Sequence, residues 1–183
     1  MAGPNPRCRY RYMKSPLGRL LLAGASGALH YIGFPGGKGA LTPAEGWLSD
    51  DVGDEAILTE TAGQLSEYFE GHRRSFDLNL MPFGTAFQKR VWTELSAIPF
   101  GETRSYGEIA RAIGQPAAVR AVGAANGHNP LPIVVPCHRV VGSDGKLTGF
   151  DGGLPAKVHL LGLEGVDCDM AGRVGQPTQH QLI

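Results

Sequence analysis

The fold is decided by residues 85–125, which read TAFQKRVWTELSAIPFGETRSYGEIARAIGQPAAVRAVGAA and contain three successive helix patterns. Thr85 begins a capping-box pattern in front of apolar residues that recur at helical spacing. A second cap begins at Ser105 and precedes a helix that Gly114 ends. Pro116 suits the first turn of a third helix, which we expect to continue to the end of this stretch.

The second and third of these helices flank the tight turn AIGQP, residues 112–116. Two short helices around such a turn predict a helix-turn-helix. The same pattern is typical of an ordinary helical hairpin in a bundle. The spacing therefore leaves both interpretations open.

The remainder of the second half begins with residues 133–141, IVVPCHRVV, a nearly continuous apolar run that Pro-Cys-His-Arg interrupts. A glycine-rich loop, GSDGKLTGFDGG, follows at 142–153. A short final helix is expected from residue 155 to about 164. Residues 166–183 are predicted to form a loose tail.

The first half has the pattern of a small sheet with one helix. Short apolar or alternating runs predict three strands, at residues 8–12, 19–23 and 28–34. The sequence GASG at 24–27 suits a hairpin turn, and the Gly-, Pro- and Asp-rich residues 35–53 predict a loop. A helical face over 55–70 ends at Gly71, and the alternation in 76–80 predicts a further strand.

These elements predict an α+β chain. We expect an N-terminal sheet-plus-helix domain at 1–80, a C-terminal helix-turn-helix domain at 86–165 and the tail at 166–183. With 42% hydrophobic residues the chain can form a packed core. No apolar run approaches the roughly 18 residues that cross a bilayer, and no signal peptide is evident, so we predict a cytoplasmic protein without membrane contact.

The net charge is zero, which by itself gives no support for a nucleic-acid partner. Residues 86–165 carry eight basic and six acidic side chains, whereas residues 1–85 carry eight and nine. Any binding to phosphates must therefore be local and depend on a few arginines.

The three cysteines, Cys8, Cys137 and Cys168, are odd in number and widely spaced, which argues against a disulfide framework. The absence of CxxC and HExxH motifs predicts no metal site. A cysteine inside an apolar run is usually an inert packing residue. For Cys137 this interpretation competes with a nucleophilic one, because His138 and Arg139 follow it and Pro136 precedes it.

A nucleophilic thiol needs a base, and the base needs a partner that orients it. The imidazole of His138 titrates near neutrality and is the candidate base. Adjacent side chains rarely face each other in regular structure, so contact with Cys137 requires a turn or a bridging water. Glu164, at the end of the final helix, is the candidate carboxylate for holding the imidazole.

Residues 86–165 resemble the O6-methylguanine-DNA methyltransferase family, and within it the bacterial Ogt-like members. The resemblance rests on FQKRVW at 87–92, IPFGETRSYGEIA at 98–110, RAVGAAN at 120–126, HNPLPIVVPCHRVVGSDGKLTGF at 128–150 and GGLPAK…LLGLEG at 152–165. The PCHRV box between an upstream Asn-Pro and a downstream Gly-Gly-Leu is highly specific. In the first half, the resemblance implies a small ribonuclease-H-like antiparallel sheet.

The resemblance implies DNA repair by irreversible transfer of an alkyl group from O6-alkylguanine in duplex DNA to Cys137. His138 would act through a water as the base, and Glu164 would hold it. Asn129 aligns with the family's hinge residue, and Tyr106 with the tyrosine that contacts the target nucleotide and protonates guanine N3. As plain residues, they would be a turn residue and the first residue of a capped helix.

The resemblance also implies how DNA is bound. Arg120 aligns with the arginine that fills the gap left by the flipped base; otherwise it is a solvated helix residue. The helix that enters the minor groove would use Ala121, Gly123, Ala124 and Asn126, and Tyr106 would add a DNA contact from the start of the preceding helix. The substrate pocket would be lined by Pro132, Val140, Phe150, Asp151 and Gly152. No cofactor is implied, O4-alkylthymine is a further expected substrate, and the chain is expected to be a monomer.

Two residues depart from the family pattern. Phe150 stands where many members carry Tyr, and Asp151 stands where relatives have small or hydroxylated residues. These differences concern the substrate range rather than the reaction.

Three other functions compete with alkyl transfer: a non-catalytic sensor of alkyl lesions, a helix-turn-helix regulator of transcription, and a thiol hydrolase that uses Cys137 and His138. The cysteine in PCHRV argues against the sensor. The absence of the cysteine-rich N-terminal domain of the regulatory relatives argues against the regulator.

Overall fold

The N-terminal half is built on a sheet of four strands. The computed structural model describes residues 8–37, 42–51, 53–169 and 172–175. The strands are β1 (Arg9–Ser15), β2 (Gly18–Ala25), β3 (Ala28–Gly33) and β4 (Leu48–Ser49), in the order β3-β2-β1-β4. The first three are antiparallel neighbours, and the two-residue β4 pairs in parallel with β1.

The hairpin between β2 and β3 lies at the predicted turn. Ser26 and Gly27 both have positive φ, as a tight hairpin turn requires. A bulge at Gly24 precedes it, and a Cβ there would meet the Ala28 carbonyl oxygen at 2.7 Å and the Ile57 side chain at 2.9 Å. Glycine at this position therefore lets helix α1 approach the sheet closely.

Helix α1 (Ala56–Phe69) covers one face of the sheet. It corresponds to the helix predicted over 55–70. Its buried residues, among them Leu58, Leu65 and Tyr68, pack with Leu20, Leu22 and Leu29 of the sheet. This apolar cluster continues without a break into the C-terminal half.

Two predictions for the N-terminal half are wrong. Residues 35–53 are not loop throughout, because β4 lies within them. Residues 76–80 form one isolated bridge, between Leu80 and Leu29, rather than a strand. The reason is that the Gln64 side chain pairs with both the N–H and the carbonyl of Asp77, at 2.9 and 2.8 Å, and so replaces strand pairing.

The C-terminal half is mostly helical. Its elements are α2 (Ala86–Ser96), β5 (Arg104–Ser105), α3 (Tyr106–Ala112), α4 (Val119–Asn126), a 3₁₀ turn at Cys137–Arg139, β6 (Val140–Val141) and α5 (Gly153–Leu163). Both predicted capping boxes are present: Thr85 pairs reciprocally with Gln88, and Ser105 with Glu108. Helices α3 and α4 pack against each other and form the predicted helix-turn-helix.

Two predicted boundaries in this half are also wrong. Helix α4 begins at Val119 instead of Pro116, because Ala118 is not helical and its N–H bonds back to Gln115 in a turn. Residues 166–169 and 172–175 are not loose. Their backbone pairs with the glycine-rich loop, through Leu147 N–H to Gly172 O at 2.8 Å and Val174 N–H to Gly145 O at 3.0 Å. The rest of the predicted tail lies outside the described residues.

The two halves are held together by both apolar and polar contacts. Phe34 and Phe150 meet edge to face with ring centroids 5.3 Å apart. The Ile32 N–H donates to the Pro130 carbonyl at 2.8 Å. Among the described helices, none has the length and apolar character needed to span a bilayer.

Candidate active site

The centre of the site is the 3₁₀ turn Cys137–Arg139, where the apolar run 133–141 is interrupted. Pro136 has no N–H to donate and so ends extended pairing at this point. Strand β6 follows at once and pairs in parallel with β5, which leads directly into α3. The sheet pair therefore places Cys137 close to the N-terminus of α3.

Asn129 braces the segment that leads into this turn. Its Nδ2 donates to the Val135 carbonyl at 2.8 Å, and its Oδ1 accepts the Leu131 N–H at 3.0 Å. Within the braced segment, Ile133 has a φ of 74°, which is strained for a β-branched residue. The two hydrogen bonds hold a conformation that the sequence does not favour locally.

The Glu164 carboxylate lies behind the turn, and its side chain is fully buried. Its Oε1 accepts the Tyr68 hydroxyl at 2.7 Å, His138 Nε2 at 2.8 Å and Arg139 Nη2 at 2.9 Å. Its Oε2 accepts Arg139 Nε at 2.8 Å and the Gly101 N–H at 3.3 Å. Burial raises the pKa of Glu164, but the hydrogen bonds from His138 and Arg139 outweigh burial and lower it to about 2.

His138 is fully buried, and burial lowers its pKa although Glu164 favours the charged form. The imidazole is therefore neutral near pH 7. Because Nε2 faces a carboxylate it carries the proton, which leaves the lone pair on Nδ1. Nδ1 is buried and has no hydrogen-bond partner within the described part of the chain. This nitrogen is available to accept a proton.

Cys137 is 3% exposed. Burial raises the pKa of its thiol to about 11, against the opposing effects of the Asn129 hydrogen bond and the Lys157 charge. The thiol is therefore protonated at neutral pH. Removal of its proton requires a base, which His138 can supply.

Lys157 of α5 is a site residue that the sequence analysis missed. Its side chain is fully buried, and Nζ donates to the Val140 carbonyl at 2.6 Å and the Thr148 carbonyl at 3.3 Å. Burial lowers the pKa of Lys157 to about 8, and Cys137 opposes this effect. A lysine within the apolar helix LPAKVHLL was the available signal, since such a helix otherwise buries no charge.

Cys137 lines a cleft of about 780 Å³, a size suited to a small ligand. The structure places nine of the predicted site residues in its wall: Tyr106, Gly123, Asn126, Asn129, Pro132, Cys137, Phe150, Asp151 and Gly152. Pro35 and Gly36 of the N-terminal half also line it, and the sequence analysis did not include them.

The remaining predicted residues lie elsewhere. Val140, predicted in the pocket wall, does not line the cleft, because its side chain is wholly buried in the core. Arg120, Ala121 and Ala124 lie exposed on α4. His138 and Glu164 lie behind Cys137 in the interior.

Tyr106 begins α3 at the edge of the cleft. A Cβ on Gly123 of α4 would lie 3.8 Å from its ring, an ordinary van der Waals distance, so the ring packs beside this position of α4. Its hydroxyl pairs with Thr148 Oγ1 at 2.6 Å. Burial raises the pKa of Tyr106 despite the Thr148 hydrogen bond, so the phenol keeps its proton.

The fold and the site define a class of protein: a helix-turn-helix joined to a buried cluster of thiol, imidazole and carboxylate. Residues 86–166 match the family model described as "6-O-methylguanine DNA methyltransferase, DNA binding domain", and residues 8–82 match its "ribonuclease-like domain". The chain belongs to the 6-O-methylguanine DNA methyltransferase family. The resemblance seen in the sequence is thus confirmed.

Similar proteins match along most of this chain. A methylated-DNA–protein-cysteine methyltransferase of Methanosarcina acetivorans is 51% identical over 156 residues, 85% of this chain and 97% of the relative. One of Mycobacterium tuberculosis is 48% identical over 155 residues, 85% of this chain and 91% of the relative. The crystal structure of Mycobacterium tuberculosis OGT in complex with DNA has a TM-score of 0.78 at 48% identity, covering 85% of this chain and 92% of that one.

The described part of the chain contains no cluster of three or more His, Cys, Asp or Glu side chains able to hold a metal ion. The carboxyl of Glu164 instead accepts hydrogen bonds from the buried His138 and Arg139.

The lowered pKa of Glu164 predicts a specific loss of stability in acid. A carboxyl with a lowered folded pKa contributes stability above its unfolded value, near 4.3, and loses it as the pH falls towards 2. Glu164→Gln should cost about 3 kcal/mol at pH 7, because Arg139 then stays buried without its counter-charge. The measurement is denaturant unfolding at a series of pH values.

Between pH 5 and 2.5, the unfolding free energy of Glu164→Gln should fall less than that of the wild type. Glu45→Gln, a change at an exposed carboxylate, serves as the control and should follow the wild type. Parallel curves for the wild type and Glu164→Gln would show that Glu164 does not carry this stability.

Proposed function

We propose that this protein repairs DNA directly, by moving an alkyl group from O6 of guanine in duplex DNA to Sγ of Cys137. The observation that carries the proposal is the position of Cys137 in the cleft wall, next to a neutral His138 that Glu164 orients. The family membership and the names of relatives at about half identity support the same reaction.

The first step forms the thiolate. The proton leaves Sγ and reaches Nδ1 of His138 through a bridging water, as the family resemblance implies. Glu164 accepts the Nε2 proton in a hydrogen bond and so stabilises the imidazolium that forms. Lys157 lowers the cost of the negative charge on sulfur.

The second step is a displacement at the alkyl carbon. The thiolate attacks that carbon, the S–C bond forms as the C–O6 bond breaks, and the electron pair leaves with guanine. Tyr106 gives its hydroxyl proton to guanine N3 and is then protonated again. Overall, the proton that the Cys137 thiol loses is balanced by the proton that guanine gains. The thioether has no route back, so each molecule acts once and needs no cofactor.

DNA binding in this proposal uses α4 and the start of α3. The alkylated O6 lies inside the base stack, so the nucleotide must flip out to reach Cys137. The exposed Arg120 enters the duplex in its place, and the exposed Ala121 and Ala124 face the minor groove. Gly123 and Asn126 belong to the same DNA-binding helix and line the cleft that receives the base. The small residues of this helix allow its close approach to the sugar–phosphate backbone.

We propose, together with this reaction, an oligomeric state, a location, a further substrate and the domain bounds. The chain acts as a monomer in the cytoplasm and also accepts O4-alkylthymine. Residues 86–165 form the alkyltransferase domain, residues 1–80 form the N-terminal domain, and the tail follows at 166–183. The relative solved in complex with DNA supports duplex DNA as the partner.

Incubation with O6-methylguanine duplex DNA should add one methyl group to each protein molecule, on Cys137, after which reaction stops. Intact-mass and peptide mass spectrometry measure this directly. Cys137→Ser should bind DNA but gain no mass, whereas the control Cys168→Ser should react like the wild type. Removal of the lesion by Cys137→Ser, or repeated turnover on esters or peptides, would contradict the proposal.

Arg120→Ala should slow repair of duplex DNA by about tenfold or more, because the unstacking cost of a few kcal/mol is no longer offset. Its reaction with free O6-benzylguanine should stay at the wild-type rate, since no base has to be flipped. Rates of mass gain on both substrates provide the comparison.

The matched control for Arg120→Ala is Arg90→Ala, which removes the same charge from the exposed side of α2. Equal losses on duplex and free base would reject the role of Arg120 in base flipping.

A further inference from the structure

Tyr68 connects the N-terminal half directly to the candidate active site. It lies on α1 and is 1% exposed. The rings of Phe69, Phe76 and Phe100 surround it, with centroids 5.6, 5.4 and 6.4 Å from its own. In this apolar setting its hydroxyl donates to Glu164 Oε1 at 2.7 Å, across 96 residues of sequence.

The oxygen that Tyr68 contacts is the one that holds His138. Oε1 accepts the Tyr68 hydroxyl, His138 Nε2 and Arg139 Nη2, whereas Oε2 accepts Arg139 Nε and the Gly101 N–H. Burial and the negative charge of Glu164 raise the pKa of Tyr68 far above its usual range, so the hydroxyl is a permanent donor. The three donors on Oε1 share its negative charge, so each of them weakens the attraction of Oε1 for the other two.

We propose that Tyr68 is a positioning residue for the reaction, which keeps His138 neutral by weakening the hold of Glu164 on the Nε2 proton. The inference rests on the proposed function, in which His138 must be neutral to accept the thiol proton. It assigns the N-terminal half a part in the chemistry through α1, in addition to its part in the fold.

The physical reason is the behaviour of a shared acceptor in a dry site. Each hydrogen bond to a carboxylate oxygen draws charge away from it and reduces its attraction for a second donor. Without the Tyr68 hydroxyl, Oε1 would attract the imidazolium form more strongly, and the pKa of His138 would rise.

The other charged or titratable groups around His138 each shift its pKa in a definite direction. Arg139 of the same turn and Lys157 of α5 both lower the pKa of His138, whereas Glu164 raises it. Cys137 precedes it in the chain. Tyr68 is the group from α1 that acts on this balance, and its effect passes through Glu164 without direct contact with substrate.

The test is Tyr68→Phe in the full-length chain, which removes the hydroxyl and keeps the ring. The rate of methyl transfer from saturating O6-methylguanine duplex DNA is measured from pH 5 to 9. The midpoint of the acidic limb should move up by about one pH unit. Below both midpoints the rate should fall about tenfold, while the plateau at higher pH stays within about threefold of the wild type.

The matched control is Phe76→Leu, which loosens the ring cluster around Tyr68 without touching Glu164. It should lower stability and leave the acidic limb in place. A limb unmoved by Tyr68→Phe, or moved equally by both variants, would overturn the inference.

A second measurement is independent of alkyl transfer. The ¹⁵N shifts of the His138 ring, followed through a pH titration, should show the same upward movement of its pKa in Tyr68→Phe. If the wild type transfers no methyl group at any pH, the proposed function fails, and the ring titration still decides whether Tyr68 acts on His138.

Discussion

The two halves of the molecule meet at the buried carboxylate of Glu164. Four residues from three parts of the chain donate hydrogen bonds to it: Tyr68, Gly101, His138 and Arg139. A single buried charge of this kind is tolerated only because it is paired with Arg139 and fully hydrogen-bonded. The same contacts fix the turn that carries Cys137, so stability and chemistry share one set of bonds.

This arrangement explains why a deeply buried thiol can react. Burial outweighs the Asn129 hydrogen bond and the Lys157 charge and raises the pKa of Cys137 to about 11, which protects the thiol from random modification. In the proposed reaction, a neutral His138 within the same turn supplies the base, and Lys157 supplies the compensating charge. The thiol becomes a nucleophile in this proposal once His138 has taken its proton.

The features that could be predicted from the sequence are those that depend on a local pattern of residues. Both capping boxes, at Thr85 and Ser105, hold in the structure because their bonds span three residues. The family motif around Cys137 predicted the cluster at the site, and the relatives confirm the family. The start of α4 was misjudged, because Pro116 fits a helix start and a preceding turn equally well.

The features that could not be predicted from the sequence depend on long-range contacts. The Gln64 side chain replaces strand pairing at 76–80, and Tyr68 reaches Glu164 across 96 residues. Lys157 is held by carbonyls of Val140 and Thr148, whose approach no spacing rule anticipates. Such partners become visible in the folded structure, because no periodic pattern in the chain encodes them.

The proposed reaction requires that Glu164 holds His138 as a neutral imidazole with its lone pair on Nδ1. Nitrogen NMR of the ring at pH 7 distinguishes the possible states, because protonated and unprotonated ring nitrogens differ widely in chemical shift. We expect a protonated Nε2 and an unprotonated Nδ1. A proton on Nδ1, alone or together with Nε2, would rule out His138 as the base.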